Sequence, residues 1–177
     1  MQMPTALVAG PARQALAIAI HALDLADAAP AALKSKALAD VAHCYRALGA
    51  LAQAESYLQQ ALRWARVVGS ADASVDLLCE LSELAVEQAN AQAEDDARAA
   101  HRCRESARDF AFEAAQLACK SVDPHWEVQV LLRVSESLDR CGDHGDAIAL
   151  QCRALNLLFQ NERVLSNEPR TEAHAVM

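Results

Sequence analysis

Along the chain, stretches rich in alanine and leucine alternate with short breaks of glycine, proline or clustered polar residues, and the breaks predict about seven helices. The first is expected over about 11–28, opened by Pro11 and closed at Ala29-Pro30. The second runs over about 31–48 to Leu48-Gly49, and the third over about 52–67 to Gly69-Ser70. A fourth begins near Asp72, a residue suited to an N-cap, and fades near Asn90. The fifth, polar at its start, covers about 94–120. In SVDPHW (121–126), Asp123 can cap the sixth helix while Pro124 takes its first turn, where a missing N–H costs nothing. That helix ends at Cys141-Gly142, and the seventh spans about 145–160. Residues 161–177 read as a polar tail that could lie back in a groove of its own chain.

Helices joined by turns this short pack as antiparallel neighbours. Composition agrees with the pattern: 40 alanines and 23 leucines stand against five glycines and five prolines, and no proline lies between Pro30 and Pro124. Alanine and leucine are the strongest helix formers, so the expected class is all-α. Aromatic residues make up only 4% of the chain, which leaves close packing to small side chains set against large ones.

Internal repetition decides between a closed bundle and a stacked array. LGALAQAESYLQQAL (48–62) aligns with CGDHGDAIALQCRAL (141–155), pairing Gly49 with Gly142, Ala54 with Ala147, Ala61 with Ala154 and Leu62 with Leu155. Alanines seven residues apart share one helix face and let a neighbouring helix approach closely. Upstream, ALADVAHCYRALG (37–49) and VLLRVSESLDRCG (130–142) match through Leu38, Val41, Ala42 and Tyr45 against Leu131, Val134, Ser135 and Leu138. ARQALAIAIHALDLA (12–26) offers Ala15 and Ala22, and ESARDFAFEAAQLA (105–118) offers Ala107 and Ala114, in the roles of the paired alanines. The first alanines fall at 15, 54, 107 and 147, giving intervals of 39, 53 and 40. The middle interval carries about 13 extra residues around NAQAEDDARAAHR (90–102), read either as longer fourth and fifth helices or as a helical insertion.

On these residues the chain resembles the tetratricopeptide repeat (TPR) family, in its longer bacterial-type variety, over about residues 12–160. The resemblance implies a single domain over 1–160: a right-handed solenoid of antiparallel hairpins with a half repeat at 11–28 and units at 31–68, 72–120 and 124–160. It implies that the first helix of each hairpin lines a concave groove. Carried over by position, the lining is Lys36, Ala39, His43 and Arg46; Asp76, Glu80, Glu83 and Glu87; and Gln129, Leu132, Arg133, Glu136 and Asp139. The 4-3-4 spacing of Asp76, Glu80, Glu83 and Glu87 stacks four carboxylates on one stripe, a repulsion that a partner or a counter-charge would relieve. The family's clamp for chaperone C-termini is not expected, since Ala39 and His43 stand where it needs lysine and asparagine and only Arg133 matches.

Charge and chemistry narrow the function. A net charge of −8 argues against nucleic-acid or anionic-membrane partners. No basic residue precedes Arg13, so no secretion leader is expected, and the cytoplasm is the expected compartment. The six cysteines include no CxxC pair and are read as buried thiols. Cys141, Asp143, His144, Asp146 and Cys152 are close in sequence, but His144 and Cys152 fall where the matched repeat has Leu51 and Gln59. The cluster is therefore read as a corner between helices, not a metal site. Asp40-Val-Ala-His43 has no second copy to make a di-metal bundle, and His43 and Cys44 diverge by about 100° on a helix, too far to act together. No nucleophile elbow, P-loop or dinucleotide fingerprint occurs, so no enzyme, metal or cofactor is expected. The expected function is a non-catalytic scaffold for a protein or peptide. The rivals are a regulatory or sensory module of a larger bacterial signalling protein and a TPR-type secretion chaperone. The first helix lacks an obvious partner before it, and the last carries Leu150, Leu155, Leu157, Leu158 and Phe159 with no clear capping helix after it, which adds an expectation of self-association.

Overall fold

The computed structural model describes residues 6–26 and 29–166, and within them the chain is entirely helical. Its elements are α1 (Ala6–Ala26), α2 (Ala31–Ala47), α3 (Leu51–Val68), α4 (Ala71–Gln92), α5 (Ala97–Ala118), α6 (Pro124–Cys141) and α7 (His144–Ser166). α2 with α3, α4 with α5, and α6 with α7 form the closest pairs. The hairpins then stack through α3 on α4 and α5 on α6, with α1 laid against α2 and α4 reaching α6. No substantial packing returns from α7 to α1 among the described residues, so the chain is an open array of helical hairpins.

The turn chemistry sets most boundaries. Asp123 accepts N–H bonds from His125 and Trp126, with Pro124 in the first turn, as its sequence predicts. Gly142 follows α6 at φ +90°, a left-handed conformation that a side chain resists. At α4 the expected cap is corrected. Ser70, not Asp72, accepts the N–H of Ala73, and Asp72 sits in the first turn, where its charge favours the helix dipole. α1 starts at Ala6, five residues before Pro11. Within a helix, Pro11 forfeits one backbone bond, a loss tolerated near an end. α7 runs to Ser166 and takes in the start of the expected tail; residues 167–177, and their suggested return to the groove, lie outside the described residues.

The core follows the matched positions. Ala54, Ala61, Ala107, Ala114, Ala147 and Ala154 are each at most 1% exposed, so small residues do sit where helices approach closely. Leu78, Leu81 and Leu84 of α4 pack with Leu58, Leu131 and Leu138, placing the central helix deepest in the array. Two buried hydroxyls lock hairpins at this depth: Ser35 donates to the Ala61 carbonyl and Ser82 to the Ala107 carbonyl, both at 2.9 Å.

The first unit differs. Ala15 and Ala22 are exposed, and Ala19 and Ala26, four residues further on and also seven apart, are buried instead. The expected register is corrected by one turn. Alanines at 15 and 22 would face the preceding helix of a complete hairpin, and α1 has no such partner among the described residues; Ala19 and Ala26 turn inward. The long middle interval resolves into the first of its two readings: α4 and α5 have 22 residues each, against 17 and 18 in α2 and α3.

Candidate binding face

Helices α2, α4 and α6, the first of each hairpin, present their polar stripes on one side of the array. Three of the four α4 carboxylates meet basic side chains from the flanking helices. Glu87 takes a two-pronged contact from Arg46 at 2.6 and 3.1 Å. Glu83 accepts from Nε of Arg133 at 2.5 Å and lies 3.6 Å from Arg46. Glu80 meets Nε2 of His43 at 2.7 Å. The repulsion implied by the 4-3-4 stripe is relieved within the chain, by α2 on one side and α6 on the other.

Across α2 and α4 these contacts have a level-by-level logic. His43 lies 37 residues before Glu80. One turn toward the N-termini, the same offset sets Ala39 opposite Asp76, and a further step sets Lys36 opposite Ala73. The cation-bearing levels end where α2 carries alanine. On the other flank, Gln129 and Trp126 of α6 approach Asp76, again without a cation directly paired to it. Asp76 accepts no hydrogen bond among the described residues. The residue is exposed, yet surrounding protein desolvates it enough to raise its carboxyl pKa, a shift opposed by the Arg133 guanidinium.

Two alanines on successive levels, Ala39 of α2 and Ala73 of α4, leave space. A cavity of about 290 Å³ opens here between α2, the end of α3 and the start of α4. Its apolar wall is Ala39, Ala65, Val68, Ala73 and Leu77, and Lys36, Asp76 and Glu80 supply its charges. A smaller recess of about 100 Å³ lies on the α6 side of Asp76, lined also by Trp126, Gln129 and Arg133. Asp76 belongs to both.

The structure therefore brings together Lys36, His43, Arg46, Asp76, Glu80, Glu83, Glu87, Gln129 and Arg133. Glu136 is exposed further along α6 and makes no polar contact among the described residues, and Asp139 turns away to hold Nδ1 of His144 at 2.6 Å. Val68, Ala73 and Leu77 join the wall although the repeat positions do not point to them. The small residues Ala39 and Ala73 at successive levels are the sequence signal that could have found the cavity. Hydrogen bonding to Glu80 raises the pKa of His43. Burial pushes the Cys79 thiol up to about 12, which leaves it protonated and unreactive at neutral pH. Among the described residues no three His, Cys, Asp or Glu side chains are grouped as a metal ion would require, and no helix is long and apolar enough to cross a membrane.

On the opposite, second-helix side, ion pairs join successive hairpins. Arg66 of α3 holds Glu113 of α5, and Arg108 of α5 reaches Asp146 of α7 at 3.0 Å. These tie the array together.

No family model matches the chain, and no curated protein sequence does either. Similar solved structures include a designed helical repeat protein. A chain of the DHF58 filament is 22% identical, covers 90% of this chain and 82% of its own, and superposes with a TM-score of 0.50. The de novo designed helical repeat protein DHR64 is 22% identical over 88% of this chain and 83% of its own, with a TM-score of 0.45. BtubC (BKLC) from P. vanneervenii is 15% identical over 95% of this chain and 81% of its own, at a TM-score of 0.39. The likeness is one of fold.

Proposed function

We propose that the chain is a TPR-like scaffold, without catalytic machinery of its own, that holds a protein or peptide segment on the α2–α4–α6 face. The observation carrying this reading is the open cavity of about 290 Å³ beside Ala39 of α2 and Ala73 of α4, on the face that carries the α4 carboxylate stripe. A recognition site needs apolar surface that a visitor can cover and a few fixed polar groups that orient it. This face has both. The ion pairs of Glu80, Glu83 and Glu87 already hold their side chains in place, so binding has little ordering cost to offset there.

The test is a selection of randomised 16-residue peptides on the immobilised full chain, followed by fluorescence anisotropy with the synthetic winners. Filling the cavity with Ala39→Trp should abolish their binding. Placing the same indole on the outer side of α5, at exposed Gln116, should leave it intact. Peptides that bind both variants equally well would refute the assignment of the face.

A further inference from the structure

Resting on that reading of the face, we infer the chemistry of its occupant: an amphipathic segment that inserts an arginine or lysine beside Asp76 and lays a neighbouring apolar side chain on the cavity wall. Three levels of this face follow one rule, in which each α4 carboxylate has a basic side chain from a neighbouring helix: Arg46 for Glu87, Arg133 for Glu83, His43 for Glu80. Asp76 continues the same stripe, and the position facing it is a methyl group. The missing cation and the empty volume coincide, because both follow from alanine at position 39. A long cationic side chain entering from outside fills the space and completes the fourth level at once.

The size agrees. A cavity of about 290 Å³ holds one or two side chains, not a folded surface. The wall is made of Ala39, Ala65, Val68, Ala73 and Leu77, matched to the aliphatic stem of arginine or lysine and to one apolar neighbour. Lys36 lines the same cavity from one level below and makes no ion pair with Asp76 within 4 Å. It stands opposite Ala73, where it could meet an acidic side chain, so the sign of the occupant rests on Asp76 and must be tested against Lys36.

The experiment uses peptides from the selection above, each resynthesised with its basic residues replaced by glutamine and, separately, by glutamate. The expected result is enrichment of arginine or lysine next to Leu, Ile or Met, and a loss of at least tenfold in affinity on Arg→Gln in the peptide. Asp76→Asn should weaken the parent peptide at least tenfold, and Asp76→Lys should reverse the preference in favour of the glutamate peptide. Lys36→Met should tighten the parent peptide, because it removes a like charge from the cavity. Peptides that lose binding on Ala39→Trp yet ignore both the glutamine replacement and Asp76→Asn would overturn the cationic occupant while leaving the face itself in place. Loss on Lys36→Met with indifference to Asp76→Asn would mean an anionic occupant and overturn it equally. Peptides untouched by Ala39→Trp would overturn both.

Discussion

Replacing Ala39 by arginine supplies the absent level from within the chain. The new guanidinium enters from α2 at the 37-residue offset that sets Arg46 3.6 Å from Glu83 and His43 against Glu80, and the cavity of about 290 Å³ gives it room beside Asp76. A partly exposed ion pair contributes roughly 0.3–1 kcal/mol, and exchanging alanine for arginine in a helix costs about 0.2 kcal/mol. The net gain is about 0.5 kcal/mol, which raises the melting temperature of a domain this size by roughly 1–2 °C. Thermal unfolding followed by far-UV circular dichroism at low salt should show the rise, and 1 M NaCl should remove most of it, since the screening length falls there to about 3 Å. In an Asp76→Asn background the substitution should bring no gain. The double-mutant cycle isolates the pair. A melting temperature lowered by several degrees, or an equal shift with and without the Asp76 carboxylate, would refute the level-by-level pairing. In binding, the same variant should exclude a cationic peptide, because the chain then holds its own.

Other consequences are more direct. Leu131 is fully buried against the central helix, so Leu131→Ala should cost roughly 2–5 kcal/mol and lower the melting temperature by about 5–15 °C in a calorimetric scan. Gly142 has φ +90° with open space where a Cβ would sit; Gly142→Ala should therefore cost about 1 kcal/mol from backbone strain alone, measured by urea denaturation. For His43 the folded pKa lies above the unfolded 6.5, so its contribution is complete below about pH 6.5 and is lost as pH rises through the raised value. The stability difference between the parent chain and His43→Gln should thus be larger at pH 6 than at pH 8. It should stay small, because the imidazole is 49% exposed and screened by water; an equal difference at both values would count against the Glu80 contact.

What the sequence disclosed was what depends on one helix at a time. Leu38, Leu131 and the seven-spaced alanines at 54, 107 and 147 are pinned by the period of the helix, and their burial follows from it. The α4 stripe was visible for the same reason: 76, 80, 83 and 87 share a face whatever lies beside them. Its partners were not, because pairing His43 with Glu80 or Arg133 with Glu83 needs the offset between residues 37 or 50 positions apart, which stacking alone sets. The contact made by Asp139 was hidden for the same reason. Its position on α6 suits the groove, but His144, five residues later, captures it at the turn. The register of α1 failed for a different reason: alanine recurs so densely there, at 15, 19, 22 and 26, that the pattern fits two faces and only the neighbour chooses.

The long middle interval shows why such a chain tolerates extra length without losing its stack. From Ala42 to Ala54 and from Ser135 to Ala147 the offset within a hairpin is 12 residues, whereas from Ser82 to Ala107 it is 25. The added residues fall between the two matched positions of one hairpin. Ser82 lies ten residues before the end of α4 and Ala107 ten residues after the start of α5, so the rising arm and the returning arm have equal height, about 15 Å at 1.5 Å per residue. Asp96 then caps the returning helix by accepting the N–H groups of Arg98 and Ala99. Equal arms bring Ala107 back level with Ser82, whose hydroxyl reaches its carbonyl at 2.9 Å. Beyond that level Gln88 braces the extension on α3, donating to the Leu51 carbonyl and to Glu55. An insertion of unequal arms would slide α5 along α4, break the Ser82 bond and carry Ala114 away from the contacts that keep it buried. Paired lengthening leaves the levels of α2, α4 and α6 where they are, and with them the one level whose cation is missing.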